Sequence, residues 1–81
     1  MAADKKARFL IDSGTTVKAL LEKEVGLPVK LRLKSGAEIG GTVAMVGTSV
    51  VQIAEVTGME FYDVVINIED VSAVYVKVRS R

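Results

Sequence analysis

Residues 28–49 read PVKLRLKSGAEIGGTVAMVGTS, and this stretch decides the fold. From Val29 the apolar residues recur at every second position. Val29, Leu31 and Leu33 alternate with Lys30, Arg32 and Lys34, the signature of a strand with one buried and one solvated face. Ser35-Gly36-Ala37 supplies a turn. A second strand follows over residues 38–46, with Ile39, Val43 and Met45 expected on one side. Gly40-Gly41 inside it marks a sharp bend or a place where another backbone comes close. Gly47-Thr48-Ser49 turns the chain again.

The same period-2 pattern continues towards the C-terminus. Strands are expected over residues 50–56, 61–68 and 72–78, separated by Thr57-Gly58 and by a Glu69-Asp70 corner. The region is rich in Val and Ile, which favour strand over helix. Towards the N-terminus the period becomes helical. Val17, Leu20, Leu21 and Val25 fall on one face, and Lys18, Glu22 and Lys23 on the outer one. Ser13, Thr15 or Thr16 can cap the start of this helix. Gly26 suits its C-terminal left-handed position, and Pro28 stops continuation. Residues 1–12 read as a flexible arm, with a helical turn over residues 4–10, and residues 13–81 as a single domain. The expected architecture is all-β, an N-terminal helix followed by a five-stranded, strongly bent antiparallel open barrel that the helix caps at one opening.

The chain has 81 residues, of which 49% are hydrophobic. A domain this small buries a limited fraction of its surface. It has no Cys or His, so neither disulfides nor a zinc site can reinforce it. Such apolar content implies either a very well-packed mini-domain or apolar surface buried against other subunits. No apolar run is long enough for a signal peptide or a membrane span, which leads to the expectation of a soluble, cytoplasmic protein with no membrane partner.

The net charge of +1 hides a segregation. Residues 1–34 and 77–81 hold every Lys and Arg. Residues 35–76 hold only acids: Glu38, Glu55, Glu60, Asp63, Glu69 and Asp70. Any basic stripe for nucleic acid must therefore come from the two ends of the chain. Charged termini that merely keep an apolar body soluble would give the same map.

Catalytic chemistry finds little to work with. The commonest general base and the strongest nucleophile are both missing. Residues 36–42, GAEIGGT, lack the Lys and the following helix of a phosphate loop. Glu69-Asp70 could touch a hard cation, but adjacent acids at a corner are more often solvated. No enzyme, metal or cofactor is expected. Phe9, Phe61, Tyr62 and Tyr75 are too few for a stacking platform, and at least two are expected in the core or at a subunit interface.

In its order of motifs the chain resembles the Sm-like family. Residues 29–33, the Lys34-Ser35-Gly36 turn and residues 38–43 resemble the family's first motif, and residues 66–71, INIEDV, occupy the place of the second. The approach FYDVVI, residues 61–66, and Val74-Tyr75-Val76 also fit. The resemblance covers about residues 13–78 and implies an Sm-like fold. It further implies a homo-oligomeric ring of roughly five to seven subunits, in which the fourth strand of one pairs with the fifth of the next. Here those strands contribute Val64, Val65 and Ile66, and Val74, Tyr75 and Val76. Neither has a Lys or Pro to discourage edge pairing.

The family holds single-stranded RNA in a pore lined by two loops. This sequence departs from the family there. The base-contacting Asn falls near Ser49, the stacking aromatic near Thr48 and the loop Asp near Gly47. The second-motif Arg and Gly are replaced by Asn67 and Ile68. Ser49 and Asn67 can hydrogen-bond a base, or they can simply satisfy turn backbone. Phosphate attraction needs cations, which these loops lack. Lys30, Arg32 and Lys34 on the first strand, or Lys5, Lys6 and Arg8 in the arm, are the better phosphate contacts. Two functions follow from the resemblance: an RNA-associated binding or scaffold ring, and a protein–protein assembly ring without nucleic-acid binding.

Overall fold

The computed structural model describes residues 10–78, so the arm cations Lys5, Lys6 and Arg8, and all but the last residue of the helical turn expected over residues 4–10, lie outside the described residues. A helix α1 (Val17–Lys23) precedes five strands: β1 (Pro28–Leu33), β2 (Glu38–Val46), β3 (Val50–Ala54), β4 (Val64–Asn67) and β5 (Val71–Tyr75). Of the three candidate caps, Thr16 takes the role, its hydroxyl accepting from the Ala19 N–H at 3.0 Å. Gly26 adopts φ +87° just past the helix, as its position requires. Its N–H donates to the Val43 carbonyl at 2.7 Å, and the Val43 N–H donates to the Leu27 carbonyl at 3.1 Å. The helix is thus tied by backbone to the middle of β2.

Only Leu21 of the expected helical stripe is fully buried; Val17 and Val25 stay exposed. The buried polar group on this side is Glu24, at the helix C-cap, which the apolar pattern does not reveal. No buried side-chain polar atom of the described residues lacks a hydrogen-bond partner.

All strand pairs are antiparallel, in the order β4-β3-β2-β1-β5. The first and last strands of this order, β4 and β5, are joined by a single 3-10 turn, Ile68–Asp70. In a flat sheet four strand spacings would hold them about 19 Å apart. The link from Asn67 to Val71 reaches at most about 14 Å even fully extended. The sheet therefore curls. Two irregularities help: Ala44 is an extra residue between the Val43–Ile53 and Met45–Gln52 pairs, and Ser72 between Arg32–Ala73 and Leu33–Val71. Such bulges bend a strand and increase its twist. The Ser72 hydroxyl donates to the Arg32 carbonyl at 3.1 Å and fixes the second one.

The bulge at Ala44 also corrects the reading of β2. Val43 faces the core, but the extra residue flips the alternation, so Met45 stands exposed and Val46 packs on the core instead. The interior is built from Leu31, Val43, Val51 and Ile53, all fully buried, with Leu21 from the helix. Gly41 sits where two strands press together. A Cβ there would lie 2.5 Å from Ile53 Cγ2 and 2.7 Å from the Ala54 carbonyl oxygen. Close approach is thus the reason for glycine at this position.

The later strands are shorter than their apolar runs. β3 ends at Ala54, because Glu55 turns into the left-handed region at φ 52°. β4 begins only at Val64; the preceding residues form turns, with the Tyr62 N–H on the Met59 carbonyl at 2.9 Å. β5 stops at Tyr75, where its pairing with Lys30 of β1 ends. Among the described residues no helix is long and apolar enough to cross a membrane.

Candidate functional site

Two loops singled out by sequence meet at one rim. β3 pairs with β4 so that Val50 lies opposite Asn67, and the Ile68 N–H then donates to the Ser49 carbonyl at 2.8 Å. At the other end of the same 3-10 turn, the Lys34 N–H donates to the Asp70 carbonyl at 2.8 Å. The turn Ile68–Asp70 therefore straps the β2–β3 corner to the β1–β2 corner. Ser49, Asn67 and Lys34 are brought to one rim, with Glu69 and Asp70 between them.

The Ser49 and Asn67 side chains are exposed, and neither hydrogen-bonds to a described residue. Asn67 stands at the N-cap of the 3-10 turn without capping it. The backbone groups here are satisfied by one another, so the side chains are not committed to the turn and remain available to a ligand. Lys34 is exposed and forms no ion pair with a described residue. The rim thus offers a hydroxyl, an amide and one cation beside two carboxylates. Its electrostatics do not favour a polyanion.

Lys30 and Arg32 are in a different situation. Both project from the outer face of β1 next to β2, where Arg32 pairs in register with Glu38. The Arg32 guanidinium donates to Glu38 Oε2 at 3.1 Å, and Lys30 Nζ lies 3.8 Å from the other carboxylate oxygen. The hydrogen bond to Glu38, with Tyr75 adding to it, holds Arg32 above its ordinary value. Lys30 also lies over the Tyr75 ring, 5.7 Å from its centroid, because the two are a cross-strand pair. One carboxylate therefore serves two cations, and the expected basic stripe is in part neutralised within the sheet. Glu38 was legible as the first acid of the Lys-free stretch, but only the β1–β2 register shows which cations it meets.

The third group of residues lines the sheet edges. Among the described residues, β4 pairs only with β3 and β5 only with β1. Their side chains divide: Ile66 is buried in the core, Val64, Val74 and Val76 are half-buried, and Val65 and Tyr75 are exposed. Ile66 can therefore contribute to an edge contact through its backbone only. Of the aromatic residues described, none is in the core. Phe61 is 100% exposed, Tyr62 62% and Tyr75 46%. Tyr75 stands on the β5 edge, and Phe61 and Tyr62 lie in the residues that lead into β4.

No group of three or more potential metal ligands occurs among the described residues. No family model, curated protein or solved structure matches this chain.

Proposed function

We propose that the protein is a non-enzymatic, Sm-like homo-oligomeric ring with an RNA-associated binding or scaffold role. The observation that carries this reading is the strand order. β4 and β5, the strands the resemblance assigns to subunit pairing, are the two outer strands of the curled sheet and have no Lys, Arg or Pro. Each copy would offer one edge to each of two neighbours, and a rotation that closes yields a ring. The exposed Val65 and Tyr75 on those edges support burial there. For RNA, the support is the juxtaposition of Ser49 and Asn67 with side chains free to hydrogen-bond. A base held there would be read by hydrogen bonds without stacking.

One observation favours the second reading, a ring that assembles proteins and binds no nucleic acid. Glu38 occupies both Lys30 and Arg32, and Glu69 and Asp70 follow Asn67 in the same 3-10 turn. Few cations are left to release counterions from a phosphate backbone.

Light scattering decides the assembly: a discrete oligomer is expected, and a monodisperse monomer across the accessible concentration range would sink the ring. Titration of that oligomer with labelled oligo-U and oligo-A across a salt series separates the two roles. Binding that weakens in Asn67→Ala assigns the rim. Binding that weakens instead in the double variant Lys30→Glu, Arg32→Glu assigns the strand face. No binding at the lowest salt leaves the scaffold.

A further inference from the structure

A pocket opens on the outer face of the sheet because one position there has no side chain. Lys30 of β1 and Gly40 of β2 stand directly opposite each other. Beyond Gly40, residues 56–59 fold back against the sheet as a wall. The Thr57 N–H donates to the Gly40 carbonyl at 2.9 Å, and the Met59 N–H to the Val56 carbonyl at 2.8 Å. Lys30, Glu38 and Thr57 on the polar side and Ile39, Val56 and Met59 on the apolar side line about 370 Å³, within the range of small-molecule sites. A Cβ at Gly40 would intrude on this space, 3.2 Å from Thr57 Oγ1.

The polar side carries two opposite charges with hydrogen-bonding capacity left over. Glu38 Oε2 accepts from Arg32 at 3.1 Å, but Oε1 lies 3.8 Å from Lys30 Nζ. At that distance the two attract without sharing a hydrogen bond. Lys30 is held in place over the Tyr75 ring, 5.7 Å from its centroid. This arrangement chooses among ligands. A simple anion on Lys30 would lie against the Glu38 carboxylate, and a simple cation on Glu38 would lie against Lys30 and Arg32. A ligand with both charges side by side meets each with its opposite and closes an alternating square of charge-assisted hydrogen bonds. The ammonium and carboxylate of a free α-amino acid sit side by side in this way. Its side chain would then fall on Ile39, Val56 and Met59, a wall suited to an aliphatic group, with the flexible Met59 thioether able to adapt.

We infer that this pocket binds a free α-amino acid with an aliphatic side chain. Its carboxylate pairs with Lys30, its ammonium with Glu38 Oε1, and its side chain packs on the apolar wall. The site lies within one copy, so it stands or falls separately from the ring proposed above.

L-Leucine is the probe, titrated into the isotope-labelled full chain and followed by NMR. The amides of Gly40, Thr57 and Met59 should shift and saturate at roughly millimolar leucine, while that of Val65 on the β4 edge stays in place. Isocaproate, which lacks the ammonium, and isoamylamine, which lacks the carboxylate, should each bind several-fold more weakly. Glu38→Gln should weaken leucine by a similar factor. Gly40→Val should abolish the leucine shifts by filling the pocket. Gly40 is outside the left-handed region and its nearest neighbour is a movable side chain, so the circular dichroism spectrum should not change. Shifts that rise without saturating, or equal binding of either singly charged analogue, would overturn the site. So would undiminished leucine binding in a folded Gly40→Val. Undiminished binding in Glu38→Gln overturns it as well, and that result does not depend on Gly40→Val folding.

Discussion

The central strands and the edge strands of this sheet are built to opposite rules. β1, β2 and β3 are flanked on both sides, and they bury Leu31, Val43, Val51 and Ile53 completely. They meet so closely at Gly41 that not even a methyl group fits. β4 and β5 are shorter than β2, pair on one side only among the described residues, and expose Val65 and Tyr75. A free, uncharged edge is a hazard for a monomer and an asset for an oligomer. The centre thus holds the chain's own fold together, and in the proposed ring the edges are where association would take place. Substitutions in the two regions should separate folding from assembly.

The largest effect is expected in the centre. Gly41→Ala drives a Cβ into the Ile53 side chain and the Ala54 carbonyl; the carbonyl is backbone and cannot rotate away. Overpacking of this kind costs about 1–3 kcal/mol, or a fall in melting temperature of roughly 4–20 °C for a domain of this size. Thermal unfolding followed by circular dichroism measures it. A melting temperature within a degree of wild type would show that β2 and β3 are less tightly pressed than this packing requires. Next comes the edge. Val65→Lys puts a charge on an exposed position of β4, so the folded subunit should lose no more than about 0.5 kcal/mol. In the proposed ring, association should weaken about tenfold or more, since a charge on the edge that would pair must be desolvated or displaced. Light scattering and melting on the same sample test the contrast. A large loss of melting temperature in the dissociated subunit would erase the distinction between edge and centre.

The same division explains what could be read from sequence. The centre was legible, because alternation and turn chemistry act locally. The bounds of β2 match residue for residue, and Gly41 lies where a close approach was expected. The exception inside it, Met45, follows from one extra residue at Ala44 that no local pattern announces. At the end of β3 and at both edges the apolar runs overran the strands. FYDVVI is as hydrophobic as a strand needs, yet Phe61 and Tyr62 have no described strand to pair with, and the turn at Met59 takes them out of the sheet. Composition reports that a residue would rather be buried. It does not report whether its own chain or another copy does the burying. For the site, the loops that bring Ser49 and Asn67 together follow the motif order. The partner of Lys30 and Arg32 depends on cross-strand register, which periodicity alone cannot supply.

Glu38 gives a smaller and more selective test, because it sits on a central strand but sets the charge of the outer face. Glu38→Gln removes the carboxylate shared by Lys30 and Arg32. The pairs are solvent-accessible, so the loss of stability should be below about 1 kcal/mol. Any affinity for oligo-U that depends on the strand face should rise. Its salt dependence should steepen by about one to two phosphate equivalents as the two cations become free. If RNA binds at the rim instead, both quantities stay close to wild type, and Asn67→Ala remains the variant that weakens binding.

The smallest effect belongs to neither region and provides the reference for both. Before the helix, Asp12 Oδ1 accepts from the Gly14 N–H at 2.9 Å and from the Thr15 hydroxyl at 3.1 Å. The Gly14 bond, then that from Thr15, hold this carboxyl below its ordinary value. A carboxylate whose pKa is lower in the folded chain favours folding above its unfolded value of 3.8 and stops doing so as pH falls through the depressed folded value. The turn should therefore loosen only below about pH 4. Its exposure keeps the effect on global stability small, since water and salt screen the group. An NMR titration of the Asp12 side chain should give a midpoint below 3.8 in wild type, moving towards 3.8 in Thr15→Val. Over the same range Asp12→Asn should remove the change in Gly14 and Thr15 amide shifts while leaving those of Leu31 and Val65 in place. Acid-induced changes at Val65 that disappear with Asp12→Asn would mean that the N-terminal turn reaches the β4 edge, and the edges could no longer be treated as independent of the rest of the subunit.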